Sequence, residues 1–485
     1  MRGPFLAELS GGDVAPGLSR PLRKTEEIGR TLSVCPRCLR TVEAAVVNNN
    51  GTVMIEKICP RHGIFKAVHI WDSERVYRGL SEIFEGQQAR AANGLVLNVT
   101  NNCNLHCSFC FARANERTAN SLSRDAIEKI LARHRGGIVY FSGGEPTVHR
   151  GLLADMRLVK ERGRSVGLFS NGKKLQQVSY VNQLREAGVD FVILQFDSLR
   201  DEHYIFMRGE ALLQQKMRAL DNLRSARIPV YLFVMLLEGR NITEIASLIR
   251  FVSAKSDFIK IINFNPVWDI GRVGAHQKIA TSKILSAIES QTGLTTGDFL
   301  DSTAFSFYLF EALGKLSKKS LNLQPACELR CYVMFRRGRP VPLTKIVDIK
   351  RLNFYLMKIV KGSGAERTSR LLLLPVFFLE AFIANGNFRF LSRLILKNLV
   401  RNLLGISLLR LSPFVSIIVG TFQTAENLDF NSVKTCNLYS DYPQGEFVFS
   451  ACIRQILMDG IDGAEGVDMQ DLLSSYRKSV FGPCC

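Results

Sequence analysis

A chain of 485 residues exceeds one ordinary domain, so two or three are expected. Hydrophobic residues make up 46% and charged residues 22%, which excludes a disordered chain. The formal charge of +19 asks for an acidic partner (nucleic acid, a phosphorylated substrate or an anionic membrane), and twelve cysteines in so long a chain exclude a small disulfide scaffold.

Residues 1–30 read as a flexible arm, punctuated by Gly11, Gly12, Pro16 and Pro21. They show no sustained apolar run of the signal-peptide kind, and the cysteines fall in groups with ligand spacing, so a reducing, cytoplasmic location is expected. Residues 31–72 read as a metal ribbon. Cys35 and Cys38 form one Cys-x2-Cys knuckle, Cys59 and His62 a second, and a hairpin over 42–47 and 52–57 joins them. Three thiolates and an imidazole close a tetrahedral site for structural zinc or for a mononuclear, rubredoxin-like iron. No coordination position is left open, so a structural or electron-relay role is expected.

After a helix near residues 73–85, residues 93–272 repeat a strand-then-helix rhythm. Apolar runs at 94–100, 137–142, 165–170, 191–197, 229–237 and 258–265 alternate with amphipathic stretches such as 124–133, 152–162, 178–187, 212–226 and 242–253. The class is α/β, a partial (β/α)6 barrel with a parallel sheet, and ligands then gather at the C-terminal strand ends. The first strand runs into Cys103, Cys107 and Cys110, spaced Cys-x3-Cys-x2-Cys with Phe109 before the last. A [4Fe–4S] cube takes four protein ligands when closed, so three cysteines leave one iron for another ligand. The second strand ends in Ser142-Gly143-Gly144-Glu145, where two glycines allow close backbone approach and Glu145 can accept from an ammonium group. The third ends in Ser170-Asn171-Gly172, the fourth in Gln195-Phe196-Asp197, and the sixth in Asn263-Phe264-Asn265.

Residues 273–350 read as a linker opening an auxiliary region at Cys327 and Cys331, which the C-terminal cysteine region, 423–485, completes with Cys436 and Cys452. These four are candidate ligands of an auxiliary [4Fe–4S] cluster; the alternative is buried, unligated cysteine. Cys484 and Cys485 stand at the chain end. Between them, 351–422 reads as an apolar, basic, helical insertion, with Arg389, Arg393, Lys397 and Arg401 on one helical stripe. Glu380 and Arg410 interrupt its apolar runs, so membrane spans are not expected. Contact with an anionic membrane surface is one expectation, and packing on the domain core is the other.

The three-cysteine loop, followed in order by the Gly-Gly-Glu and Ser-Asn-Gly strand ends, resembles the radical S-adenosylmethionine (SAM) enzymes. The resemblance implies that Cys103, Cys107 and Cys110 hold a [4Fe–4S] cluster whose open iron binds SAM. Phe109, Gly143, Gly144, Glu145, Ser170, Asn171, Gln195 and Asp197 would then surround the cofactor. It implies reductive cleavage to a 5′-deoxyadenosyl radical, fed by a reductant such as ferredoxin or flavodoxin. With its ribbon and late cysteines the whole chain is similar to the group that includes archaeal tetraether-lipid synthases. Residues 84–93 lack the cysteines of that group's pattern, and no second three-cysteine loop of the pterin radical methyltransferases is present. The function expected on this resemblance is modification of unactivated C–H positions in long-chain lipid tails, most specifically C–C coupling. It would take place at the inner membrane face, with basic residues on the headgroups. The alternative is maturation of a peptide or other small substrate, including a methyltransferase-like reaction. Specific nucleic-acid binding is not expected, since the basic excess is interleaved with leucine and isoleucine rather than with stacking aromatics.

Overall fold

The computed structural model describes residues 25–456 except 86–92, 117–120, 135, 268–269, 273–277, 318–325, 363–413, 435, 437, 442–447 and 451. The helical stripe 389–401 and Cys484–Cys485 therefore lie outside the described residues.

The ribbon is a four-stranded antiparallel sheet in the order β1 (Glu26–Val34), β2 (Thr41–Asn49), β3 (Thr52–Cys59) and β4 (Gly63–Ser73). Its first strand begins at Glu26, earlier than the arm boundary expected at residue 30. The β2–β3 turn relies on Gly51 at φ +88, with Asn48 accepting from its N–H at 2.7 Å. Helix α1 (Glu74–Ile83) follows and buries Val76, Leu80 and Ile83.

The six apolar runs form the six expected strands: β5 (Gly94–Thr100), β6 (Ile138–Gly143), β7 (Ser165–Ser170), β8 (Phe191–Gln195), β9 (Val230–Leu236) and β10 (Ile259–Pro266). They pair in parallel, each with its sequence neighbour. Helices α2 (Arg124–Arg133), α3 (Leu152–Glu161), α4 (Val178–Glu186), α5 (Asp201–Arg208), α6 (Leu213–Ser225) and α7 (Ile245–Ser253) connect them. One face of each strand packs on these helices: Val139 and Phe141, Val166 and Leu168, Val192 and Leu194, Leu232 and Val234, Ile262 and Phe264 all join a single core. The alternate residues turn to the opposite face. There Tyr140, Phe169, Phe191, Tyr231 and Phe233 touch ring to ring at 4.7–6.4 Å.

Two expectations are corrected beyond the core. Residues 273–350 are no linker: α8 (Thr281–Thr292), α9 (Thr296–Ser317), β11 (Glu328–Arg336) and β12 (Arg339–Pro342) fill them. The interval 351–422 is helical only where α10 (Ile349–Lys361) enters it, and it ends in the strand β13 (Val415–Gly420). Val415-Ser-Ile-Ile-Val419 is rich in β-branched residues and every one of its positions is buried, which suits a central strand. β13 pairs in parallel with β10 and antiparallel with β11. On the far flank β14 (Leu438–Asp441) pairs in parallel with β5, and β15 (Val448–Ser450) pairs with β14, giving an eleven-stranded sheet. The short helix α11 (Phe430–Lys434) precedes them. The two flanks approach each other where Gln423, just past β13, donates its N–H to Cys452 Sγ at 3.5 Å. No helix of the described residues is long and apolar enough to cross a membrane.

Candidate active site and metal centres

The ribbon site is assembled as its spacing predicts. One ligand atom from each of Cys35, Cys38, Cys59 and His62 lies within 4.8 Å of the others. His62 presents Nδ1, at 3.5 Å from both Cys35 Sγ and Cys59 Sγ. Burial alone would raise the Cys59 thiol; the backbone N–H groups of Arg61 and His62, with the His62 and Cys35 side chains, bring it down to about 6. A thiolate-ready quartet of this kind fits zinc or iron.

The second centre sits above the C-terminal ends of β5–β7. Cys103, Cys107 and Cys110 are unbridged, half-buried and carried on one loop. Burial, followed by the charges of Glu145, Cys107 and Cys110, pushes the Cys103 thiol up to about 12. A cationic iron–sulfur core supplies the positive charge that such a site needs to hold thiolates. The loop is pinned by residues whose spacing gave no signal. Asn115 at φ 66 accepts from Cys103 N–H at 2.9 Å and donates to Cys103 O at 3.0 Å. Arg272 donates to Cys107 O at 2.7 Å and Ala114 O at 2.6 Å, and its backbone exchanges two hydrogen bonds with Cys110.

The two glycines of the second strand end serve this loop. A Cβ on Gly143, at φ +124, would lie 2.2 Å from Thr100 O, and one on Gly144 would lie 2.4 Å from Asn102 O. The space read as ligand approach is thus filled by the chain's own backbone. Glu145 is buried and ties β6 to β7. It accepts from Thr147 N–H (3.2 Å), Thr147 Oγ1 (2.7 Å), Ser170 Oγ (2.9 Å) and Asn171 N–H (2.7 Å). Burial raises its carboxyl against those donors. Asn171 Nδ2 donates to Asn104 Oδ1 at 2.7 Å and lies 3.9 Å from Cys103 Sγ, which puts this strand end beside the cluster loop.

Asp197 is corrected from cofactor ligand to internal counter-ion. It is fully buried and takes Arg208 through two hydrogen bonds, at 2.9 and 3.1 Å, and Met235 N–H at 3.0 Å. Gln195 contacts it as well, and Gln195 Oε1 accepts from Lys216 Nζ at 2.9 Å. Lys216 also donates to Asn171 O at 2.8 Å and Gln195 O at 2.6 Å, and burial brings it down to about 7. Phe109 is buried with Met207, Met235, Leu237 and Val267, under the Arg208 guanidinium at 4.8 Å. Arg208 and Lys216 were not singled out from the sequence. They lie on the helices after β8, where a lysine or arginine reads as surface.

Of the four late cysteines, Cys327, Cys436 and Cys452 converge near enough to raise one another's thiols, after burial as the leading cause. Cys331 is corrected out of this set. It is buried in the sheet core, facing Ser302 and Asp298 of α9, and strand alternation sends its side chain away from the lumen face.

A parallel sheet whose strand ends gather three unbridged cysteines, a buried carboxylate tie and a Ser-Asn-Gly turn defines an enzyme that holds a [4Fe–4S] cluster and SAM. The chain belongs to the radical SAM superfamily, which matches residues 97–252, and residues 27–72 match the HMPTM N-terminal zinc ribbon domain. It is 30% identical over 360 residues to 7,8-dihydro-6-hydroxymethylpterin dimethyltransferase of Methanocaldococcus jannaschii, covering 66% of this chain and 71% of that one. A probable GTP 3′,8-cyclase of Pyrococcus abyssi is 28% identical over 176 residues, 36% of this chain and 57% of its own. Among solved structures, Streptococcus suis SuiB bound to S-adenosylmethionine aligns at 16% identity and TM-score 0.38, over 44% of this chain and 50% of that chain.

Proposed function

We propose that this enzyme functionalises a C–H bond of a ring-bearing small molecule in a methyltransferase-like reaction. The observation that carries the reading is the aromatic face below the cluster loop. Tyr140, Phe169, Phe191, Tyr231 and Phe233 form a continuous wall there, with Phe191 and Tyr231 stacked at 4.7 Å. Such a wall suits a planar substrate. The relative named as a pterin dimethyltransferase supports the same class. The cluster and SAM, when bound, supply the electron and the radical that breaks an unactivated bond no side chain can attack.

The chain's own residues do the rest. Cys103, Cys107 and Cys110 hold three irons. Glu145, kept in place by Thr147, Ser170 and Asn171, offers its remaining lone pair to the SAM ammonium, and Asn171 borders the ribose. The aromatic wall excludes water from the reacting carbon. A reductant must deliver the electron. Cys327, Cys436 and Cys452 are proposed to hold an auxiliary cluster at the seam of the sheet.

A second reading, C–C coupling of lipid tails at a membrane surface, draws on the apolar, basic run at 371–410, outside the described residues. One experiment separates the two. Anaerobically reconstituted enzyme with SAM and reductant is expected to release 5′-deoxyadenosine, and Cys103→Ala, Cys107→Ala or Cys110→Ala to abolish it. Mass spectrometry of cells expressing the enzyme should then show a small metabolite that has gained a methyl group. Joined lipid chains with an unchanged metabolite pool would replace the first reading by the second.

A further inference from the structure

We propose that Arg208 is a positioning residue for the cluster: it donates to the Cys107 thiolate and sets the cluster's reduction potential. The last turn of α5 is docked on the cysteine loop. Ser108 N–H and Ser108 Oγ both donate to Met207 O at 3.3 Å, and Gly209 ends the helix in the left-handed region at φ 85, beside His106 O. This brings Arg208 inward, where only 8% of its side chain stays exposed, against an Asp197 side chain with none.

One edge of its fork is spent on Asp197, Nε to Oδ2 at 2.9 Å and Nη2 to Oδ1 at 3.1 Å, and its face rests on the Phe109 ring at 4.8 Å. A guanidinium has five N–H groups. The remaining edge is turned to Cys107, with which the side chain hydrogen-bonds. A charge-assisted pair inside a protein orients its partners strongly, and hydrogen bonds to cluster sulfurs together with net charge set iron–sulfur potentials. Reduction adds negative charge to a core already carrying three thiolates, so a fixed buried cation favours the reduced form. Asp197 is the second layer. It holds the fork in one orientation and is itself held by Met235 N–H at 3.0 Å, while Asn241 Nδ2 donates to Asp197 O at 2.9 Å.

The test is an EPR-monitored redox titration of the reconstituted full chain without SAM, on wild type, Arg208→Met, Arg208→Gln and Arg208→Lys, with iron counted in each. The neutral variants are expected to shift the midpoint negative by at least a tenfold change in the reduction equilibrium, about 59 mV for one electron. Arg208→Lys should recover part of it. An unchanged midpoint in a loaded neutral variant, whether or not SAM affinity falls, overturns the proposal and leaves the arginine to serve SAM alone. Failure of both neutral variants to load, rescued by lysine, supports the cation's role on the thiolate. Failure of all three, with the chain folded by circular dichroism, overturns it in favour of a purely structural Asp197 fork. The proposal rests on the cluster assignment, whose own failure would appear separately, as wild-type protein that takes up no iron at the cysteine loop.

Discussion

At Gly143 the backbone sits at φ +124, with Thr100 O only 2.2 Å from where a Cβ would stand, and at Gly144 the corresponding distance to Asn102 O is 2.4 Å. Both obstacles are backbone, which cannot swing away as a long side chain can. Gly143→Ala therefore combines left-handed strain, of order 1–3 kcal/mol, with forced separation of β6 from the loop carrying Cys103. The expected outcome is a folded protein whose iron at the radical SAM cluster falls by more than half, read by iron analysis and the EPR signal of the reduced cluster. Full loading would show that the loop does not depend on this contact. Gly51, also at positive φ but with nothing within 4 Å of its Cβ position, is the control and should lose only local turn stability. A second prediction at this scale concerns the ribbon. Cys59→Ser removes a thiol held down to about 6 by its neighbours, so stoichiometric ribbon metal should be lost while 5′-deoxyadenosine release in the reconstituted enzyme persists. Visible absorption then decides the metal: a colourless ribbon is zinc, and a thiolate-to-iron band is iron.

Element by element, the strands were legible because their sequence carries two independent signals, apolar runs bounded by turn residues and chemistry at the strand ends. The run at 165–170 coincides with β7 (Ser165–Ser170), and that at 94–100 with β5 (Gly94–Thr100). The ribbon was legible for the same reason, since paired ligand spacing fixes the two knuckles before any strand is placed. What escaped was set by long-range packing. β13 was read within a helical interval, because five apolar residues without flanking turns do not reveal their period until β10 and β11 pair with them. Helix α5 was missed because its inward face is carried by His203, Tyr204, Met207 and Arg208, polar types that usually face water. Cys331 was grouped with Cys327 on spacing alone, yet strand alternation separates them. Hence Cys331→Ala should leave total iron unchanged, and Cys327→Ala, Cys436→Ala or Cys452→Ala should each lower it by about four irons. Equal losses from all four substitutions would return Cys331 to the ligand set.

Across the whole molecule, the ribbon is locked to the segment that leads to the late cysteines. Asp429 is buried where the two meet. It accepts from Thr31 Oγ1 at 2.5 Å, Asn431 N–H at 2.9 Å and Ser432 Oγ at 2.9 Å, and faces His69 Nε2 at 3.4 Å. Trp71 N–H donates to His69 Nδ1 at 3.1 Å, which leaves Nε2 as the protonated nitrogen aimed at Asp429. Alongside, Lys57 of the ribbon donates to Ala425 O at 2.7 Å, and burial brings its ammonium down to about 8. Burial alone would raise the Asp429 carboxyl, but the His69 and Thr31 hydrogen bonds win and hold it below the ordinary value. A carboxyl depressed in the folded state contributes stability above its unfolded pKa, about 3.9, and loses that contribution as pH falls through the folded value. Asp429→Ala should therefore cost roughly 3 kcal/mol near neutral pH, and its deficit against wild type should shrink below about pH 4. Because this segment also delivers Cys436 and Cys452 to the seam, the same substitution should lower auxiliary iron while sparing the cluster on Cys103, Cys107 and Cys110. Thermal unfolding across pH, with iron counted on Cys327→Ala and Asp429→Ala side by side, measures both effects. Loss of stability without loss of iron would make the clasp a ribbon anchor alone. Loss of both would make the ribbon part of what builds the second centre.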